Sequence, residues 1–403
     1  MEPPRGGIAA QAARPAFCYT GEAPPTDLEH PKARMRRLAL LAAASLLLAP
    51  TANAVDINDG QLAIHGDGAW SFQKTTGRNG YQDATPDGNY NTAAFNLLLA
   101  VKPTPAITFN VYLEFDPDHT GVEWMFVEWR VSDRLRLRAG RVKQPIGNSG
   151  ELQYAGTTRP FYDLPTSIYG PSNIAATAYL GAGATGTFAS DASWTLDYDL
   201  YAGALKLPEL ETYRALEVPA DPSSAQPVKV DRQQVRQIIG GRLSVTTPFD
   251  LTLRLSGYGG KMHKDEIENV TFLVAGLSAE YRVSRLKLGA ELFYTTEVGI
   301  EHAIGSALEA SWSFDEHWQV AARLEGYRSS VHAISVTSPL LDHREAALAL
   351  DYWFTPTLVV KASAHRIVGN RFVYPDGATY QDLVTTPPAE RTTVFLAGVQ
   401  FAF

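Results

Sequence analysis

One cysteine, Cys18, stands in a chain of 403 residues, so neither an internal disulfide framework nor a cysteine-rich zinc site is available. Positive charge is also scarce. The 35 Lys and Arg against 43 Asp and Glu leave a net charge of −8, which argues against a nucleic-acid partner. The chain has no Gly-x-Ser-x-Gly, no His-Glu-x-x-His and no glycine-rich phosphate loop leading into a helix. His119, His263, His302, His317, His332, His343 and His365 are scattered without metal-ligand spacing and read as solvated residues of loops and strand ends. No catalytic residue, cofactor or metal is therefore expected.

Long apolar runs are rare as well, although 45% of residues are apolar and mean hydropathy is −0.14. The one such run follows Met35-Arg36-Arg37, spans 38–49, and ends in Pro50-Thr51-Ala52-Asn53-Ala54. A basic start, a short apolar core and a small-x-small end predict a cleaved secretory signal peptide over 35–54. The run is too short for a bilayer helix, which needs about 20 residues. Residues 1–34, rich in Pro, Ala and Arg, read as an upstream extension ahead of a true start at Met35. Export would remove Cys18, six basic and four acidic residues, taking the net charge to −10.

From Val55 onward the dominant period is two. Ile107, Phe109, Val111, Leu113 and Phe115 alternate with Thr108, Asn110, Tyr112 and Glu114, which predicts a strand with one apolar and one polar face. Sixteen such strands are expected, at 61–74, 91–102, 106–116, 121–131, 134–143, 175–188, 193–206, 233–247, 250–262, 268–282, 285–296, 303–314, 317–330, 344–354, 357–372 and 391–403. Their connections alternate: short after even strands, as at Pro103-Thr104-Pro105 and Val283-Ser284, and generally longer after odd ones, notably 144–174 and 207–232. A transmembrane barrel separates short turns from long loops in this way and has an even strand number. Phe188, Trp194, Phe249, Tyr281, Phe314, Trp318, Tyr352 and Phe354 flank the short turns, as an aromatic girdle at a membrane interface would. The last strand puts Phe395, Ala397, Val399, Phe401 and Phe403 on one face and can close against the first, leaving no edge. The fold class is all-β: a sixteen-stranded antiparallel transmembrane barrel over 55–403.

The densest charge is Arg134-Leu135-Arg136-Leu137-Arg138-Ala139-Gly140-Arg141-Val142-Lys143. The leucines must face lipid, because a cation at the bilayer midplane costs about 2–4 kcal/mol. Arg134, Arg136 and Arg138 then line the lumen, and Arg130 on the preceding strand joins them. Arg141 and Lys143 have the wrong parity, and a bulge at Ala139-Gly140 is expected to return them to the lumen. The acids Glu114, Glu128, Asp197, Asp199, Glu280, Glu291, Glu309, Glu325 and Asp351 fall at lumen positions. The connection 144–174 carries Glu151, Arg159 and Asp163 among aromatic and proline residues, and is expected to fold into the barrel as a constriction loop.

The string from Leu137 through Gln144-Pro145-Ile146-Gly147, with Thr158-Arg159-Pro160, Leu164-Pro165 and Ile168-Tyr169, resembles the signature of Gram-negative outer-membrane porins related to the phosphate-selective O and P type. The C-terminal Phe403 resembles the recognition signal of outer-membrane proteins. The resemblance implies a homotrimer in outer-membrane lipid, with the loop after Lys143 narrowing the pore. It departs from the family at Gln144-Pro145-Ile146-Gly147, where Leu-Pro-Phe-Gly is usual, and in confining the basic row to one strand.

The expected function is passive diffusion of small hydrophilic solutes or ions, with an anion or phosphate preference that the opposing acids weaken. Arg134, Arg136, Arg138, Arg141 and Arg159 would form one charged wall of the neck, facing Glu114, Glu128 and Glu151. Two rivals remain open: an outer-membrane barrel enzyme such as a lipid hydrolase, requiring a serine beside a lipid-facing histidine, and a secreted soluble β-sandwich that binds carbohydrate.

Overall fold

Strict apolar–polar alternation buries one face of a strand and exposes the other, and sixteen such strands meet edge to edge here. The computed structural model describes residues 55–57, 60–77, 84–117, 120–152, 156–190, 194–210, 230–264, 267–332, 338–372, 379–385 and 387–403. The expected extension 1–34 and signal peptide 35–54 lie outside these residues.

A short strand, β1 (Val55–Ile57), precedes β2 (Leu62–Thr75), β3 (Ala94–Thr104), β4 (Ile107–Phe115), β5 (Thr120–Ser132) and β6 (Leu135–Lys143). There follow β7 (Ala178–Ser190), β8 (Thr195–Leu210), β9 (Val230–Thr246), β10 (Leu251–Lys264), β11 (Ile267–Val283) and β12 (Leu286–Glu297). The last are β13 (Glu301–Ser313), β14 (Trp318–Val331), β15 (Asp342–Thr355), β16 (Leu358–Val368) and β17 (Arg391–Ala402). From β2 to β17 each strand pairs antiparallel with the next, and β17 pairs with β2, so the sixteen strands close with no free edge.

The seam is tight at the chain end. Phe403 and Gly66 exchange backbone hydrogen bonds at 2.8 and 2.9 Å, and the Phe403 ring lies over Gly66 where a Cβ would stand. β1 takes up the β2 edge beyond this point, pairing Val55 with Ile64 and Ile57 with Leu62.

Outward positions carry large aliphatic side chains left exposed by the protein itself: Ile239 is 75% exposed, Leu348 68% and Leu180 64%. Covering such a side chain is worth about 1.5–3 kcal/mol each, and a belt of them around a closed barrel calls for lipid. At the rim of short turns, Phe188, Trp194, Phe249, Phe314, Trp318 and Phe354 are exposed, and Trp129 and Trp312 join this girdle. Tyr281 and Tyr352 share the outward parity but are only half exposed.

All nine acids expected on the lumen face occupy lumen positions in the ladder. Asn96 pairs with Glu114, Thr108 with Glu128, and Glu309 with Arg323. The described residues of the connection between β6 and β7, 144–152 and 156–177, stay within the barrel. Gln144, Ile146, Phe161, Ile168 and Ile174 are buried among lumen side chains, with a single helical turn at Thr166–Tyr169.

Candidate functional site: the lumen at the β6–β7 loop

β6 ends where Pro145 removes a ladder donor, and the chain turns inward through Gly147. Gly147 has φ +58°, and a Cβ there would collide with the Tyr169 hydroxyl and the Glu291 carboxylate. The loop is then fixed to wall after wall. The Asn148 amide donates to Glu291 Oε2 at 2.9 Å, and Arg254 Nη1 donates to Asn148 Oδ1 at 2.7 Å. The Tyr169 hydroxyl donates to Glu291 Oε2 at 2.8 Å, while burial and the neighbouring Glu291 hold that hydroxyl well above its usual pKa, so it stays a donor. Further round, the Ser167 amide donates to Glu325 Oε2 at 2.8 Å, Arg323 Nη2 to Asp163 Oδ1 at 2.7 Å, and Lys361 Nζ to the carbonyls of Gly156 and Arg159. Arg159 itself is a partly buried strut, donating to the Tyr162 carbonyl at 3.0 Å.

The basic row divides. Arg136 and Arg138 face the lumen on β6, opposite Arg130 and Glu128 of β5. Arg134 sits on the two-residue turn at the short rim, away from the loop. β6 keeps an unbroken register with β7 from Arg136 to Lys143, so the bulge expected at Ala139-Gly140 is absent. Gly140 instead takes φ +129° within the ladder, where a Cβ would stand 2.5 Å from the Met125 carbonyl oxygen. Arg141 therefore keeps outward parity, level with Met125 and Leu180, and ion-pairs with Glu123 at 3.4 Å. Lys143, at the strand end, turns inward: its ammonium lies 4.5 Å from the centre of the Trp124 ring and donates to the Glu151 carbonyl.

The acids do not form a separate wall opposite the arginines. Hairpin register puts Glu128 against Arg138, with Arg138 Nε donating to Glu128 Oε2 at 2.8 Å. Glu151 comes from the loop to the same group, 2.5 Å from Arg242 Nη2 and 3.7 Å from Arg138, and Asp199 lies 2.8 Å from Arg242. The row is neutralised in place. Glu114 is further along the lumen, beside a cavity of about 520 Å³ that also holds Asp67, Asn96, Arg159 and Tyr162. A second cavity of about 470 Å³ lies towards the short rim, lined by Arg136, Glu151, Asp199, Arg242 and Arg254.

Sequence reasoning missed the loop's anchors on the far wall. Arg242, Arg254, Arg323 and Lys361 belong to no basic row like that of β6, and only period-two parity marks them as inward. It also missed a buried cluster. His343 and His365 are not solvated but 1% exposed, at 3.7 and 2.7 Å from the Glu345 carboxylate. Ser363 Oγ lies 2.8 Å from His365 Nε2. With Glu345 accepting from Nδ1, Nε2 is the acceptor and the serine hydroxyl donates.

No protein-family model matches the chain, and no curated protein sequence matches it. Solved structures do share its architecture. OmpF of Salmonella typhi, in complex with daunomycin, aligns at a TM-score of 0.58 and 11% identity over 87% of this chain and 100% of that one. The outer membrane channel DcaP of Acinetobacter baumannii aligns at 0.56 and 8%, again over 87% and 100%. An anion-selective porin from Comamonas acidovorans aligns at 0.50 and 12%, over 85% and 99%. At such identities the likeness is one of fold, and the fold it shares is a closed antiparallel transmembrane barrel.

Proposed function

We propose that the protein is a passive diffusion channel of the bacterial outer membrane for small hydrophilic solutes or ions. The observation that carries this reading is the loop from 144 to 177, held inside the barrel by ion pairs and hydrogen bonds while polar cavities remain on its two sides. A lumen lined by charged side chains, with aliphatic residues turned to lipid, is the arrangement a water-filled pore requires. Two solved structures of like fold are named as a channel and an anion-selective porin. Protein reconstituted into liposomes is expected to admit small neutral sugars and cause osmotic swelling. Liposomes that do not swell, with correctly folded barrel present, would refute the reading.

Selectivity follows from the pairing of charges. Arg138 and Arg242 are matched by Glu128, Glu151 and Asp199, and Arg136 also lies 3.8 Å from Glu128, so anion or phosphate preference is weak and resides with the half-exposed Arg136 and with Arg254 at the short-rim cavity. A homotrimer is part of the same proposal. The Arg141–Glu123 ion pair on the outer face is better accommodated against a neighbouring subunit than in lipid. Cross-linking in membranes tests it.

One observation favours a second reading. Glu345, His365 and Ser363 are arranged like a hydrolytic triad, though on the lumen face rather than towards lipid. Ser363 lies mid-ladder, paired with Ala349 and Leu396, so nearby backbone amides are committed to strand pairing and unavailable as an oxyanion hole. Esterase activity abolished by Ser363→Ala would nevertheless establish the enzyme.

A further inference from the structure

The register of β14 and β15 sets Glu325 directly against Glu345 on the lumen face. Like charges facing each other across a ladder are unfavourable, and both side chains are buried. Arg323, the cation on that wall whose charge reaches both carboxylates, directs both Nη groups to Asp163 and hydrogen-bonds to neither carboxylate. Arg371, on the other side, lies over the rings of Tyr327 and Phe372. Glu325 uses Oε2 to accept from the Ser167 amide, but its Oε1 is buried with no hydrogen-bond partner among the described residues. A buried carboxylate oxygen left in this state costs free energy unless something positive meets it.

His343 completes the geometry. One ligand atom from each of Glu325, His343 and Glu345 can be chosen so that all lie within 4.8 Å of one another. His343 Nε2 and Glu345 Oε2 are 3.7 Å apart, too far for a hydrogen bond. Two ligands each about 2.1 Å from a tetrahedral zinc ion stand about 3.4 Å apart, so the gap is the size of a shared ion. We propose that Glu325, His343 and Glu345 bind a divalent transition metal of the zinc class on the inner wall of the barrel. One imidazole and two carboxylates suit such an ion better than calcium or magnesium, which prefer oxygen ligands only.

The surroundings provide the second layer that metal ligands use. Ser363 donates to His365, and His365 donates to Glu345 Oε1, which fixes the carboxylate with Oε2 towards His343. The Ser167 amide fixes Glu325 in the same way, so the ion would also hold the constriction loop to the wall. This site stands whether or not the barrel conducts.

The test is zinc and cobalt binding to the folded barrel in detergent, read by calorimetry and by the visible absorption of bound Co²⁺. One ion per chain is expected, with an imidazole-ligated cobalt spectrum. His343→Ala and Glu325→Gln are each expected to weaken binding by about 100-fold or more, and Ser363→Ala by about 10-fold. Heat-modifiable gel migration confirms that each variant is folded, and two independent ligand variants keep the test decisive if one fails. Absence of stoichiometric metal, or binding unchanged in His343→Ala because exposed histidines supply it, would overturn the proposal.

Discussion

Arg323 of β14 stacks its guanidinium 4.1 Å from the centre of the Phe161 ring while donating to Asp163 at 2.7 Å, so one side chain of the wall grips two residues of the constriction loop. The pair is buried, with the Arg323 side chain fully covered. Breaking a buried ion pair from one side costs about 3–5 kcal/mol. Arg323→Ala is therefore expected to free this part of the loop, raising single-channel conductance and current noise and lowering the unfolding midpoint. Unchanged conductance would mean that the segment around Phe161 does not border the passage.

Glu151 is the loop's contact with the basic row. Burial alone would raise its carboxyl pKa, but the Arg242 and Arg138 guanidiniums hold it below the usual carboxylate range. A depressed folded value contributes stability that is complete above the unfolded value, about 4.3, and is lost as pH falls through the folded one. Glu151→Gln is expected to cost about 1.5 kcal/mol at neutral pH and to turn reversal potential towards anions, since Arg138 and Arg242 then share only Glu128 and Asp199 as counter-charges. The stability difference from wild type, measured by urea unfolding across pH, should hold down to the carboxylate range and shrink only below it. A difference already gone at about pH 6 would contradict a carboxyl held low.

Gly140 replaces the bulge that its neighbourhood led one to expect. Its φ of +129° is open to glycine and strained for other residues, and a Cβ would press on the Met125 carbonyl and the Phe126 backbone. Gly140→Ala is expected to destabilise the barrel by about 1–3 kcal/mol, read as a shift in urea midpoint. A neutral substitution would show that β6 can relax into the bulge after all.

The orientation of the barrel wall has its own check at Leu348, midway along β15 and outward-facing. Leu348→Arg should cost about 2–4 kcal/mol in a lipid bilayer, as a cation near the midplane does. A cost well below this would place the position away from the hydrocarbon core.

Much of the architecture was legible in period-two patterning. All sixteen barrel strands and the lumen side of the nine acids follow from parity, because one slip in register would turn a whole apolar set to the wrong face. The alternation of connections holds only in part, since those after β4, β10 and β12 are as short as the turns of the other rim. The constriction loop could be expected from its length and composition. Its anchors could not, since Asp163 meets Arg323 and Glu151 meets Arg242 across sequence separations that no local pattern encodes. The neutralised row is not legible from the hairpin either: counting back from the turn at Asp133 and Arg134 sets Arg138 against Trp129, and only the register shift between Arg130 and Ser132 brings it opposite Glu128. His365 meets Glu345 only because β15 and β16 lie side by side, whereas His343 sits two residues before Glu345 on the same face of β15, so parity alone places that pair in the lumen. Arg141 was misplaced for a different reason: glycine's tolerance of positive φ let the ladder continue without a bulge.

The most direct measurement is the current across planar bilayers containing purified protein, with reversal potential recorded in a salt gradient for wild type and for the double variant Arg136→Glu, Arg138→Glu. Discrete conductance steps, a small reversal potential for wild type and a shift towards cations in the variant are the expected results. A folded, inserted barrel that passes no ions at all would contradict the channel.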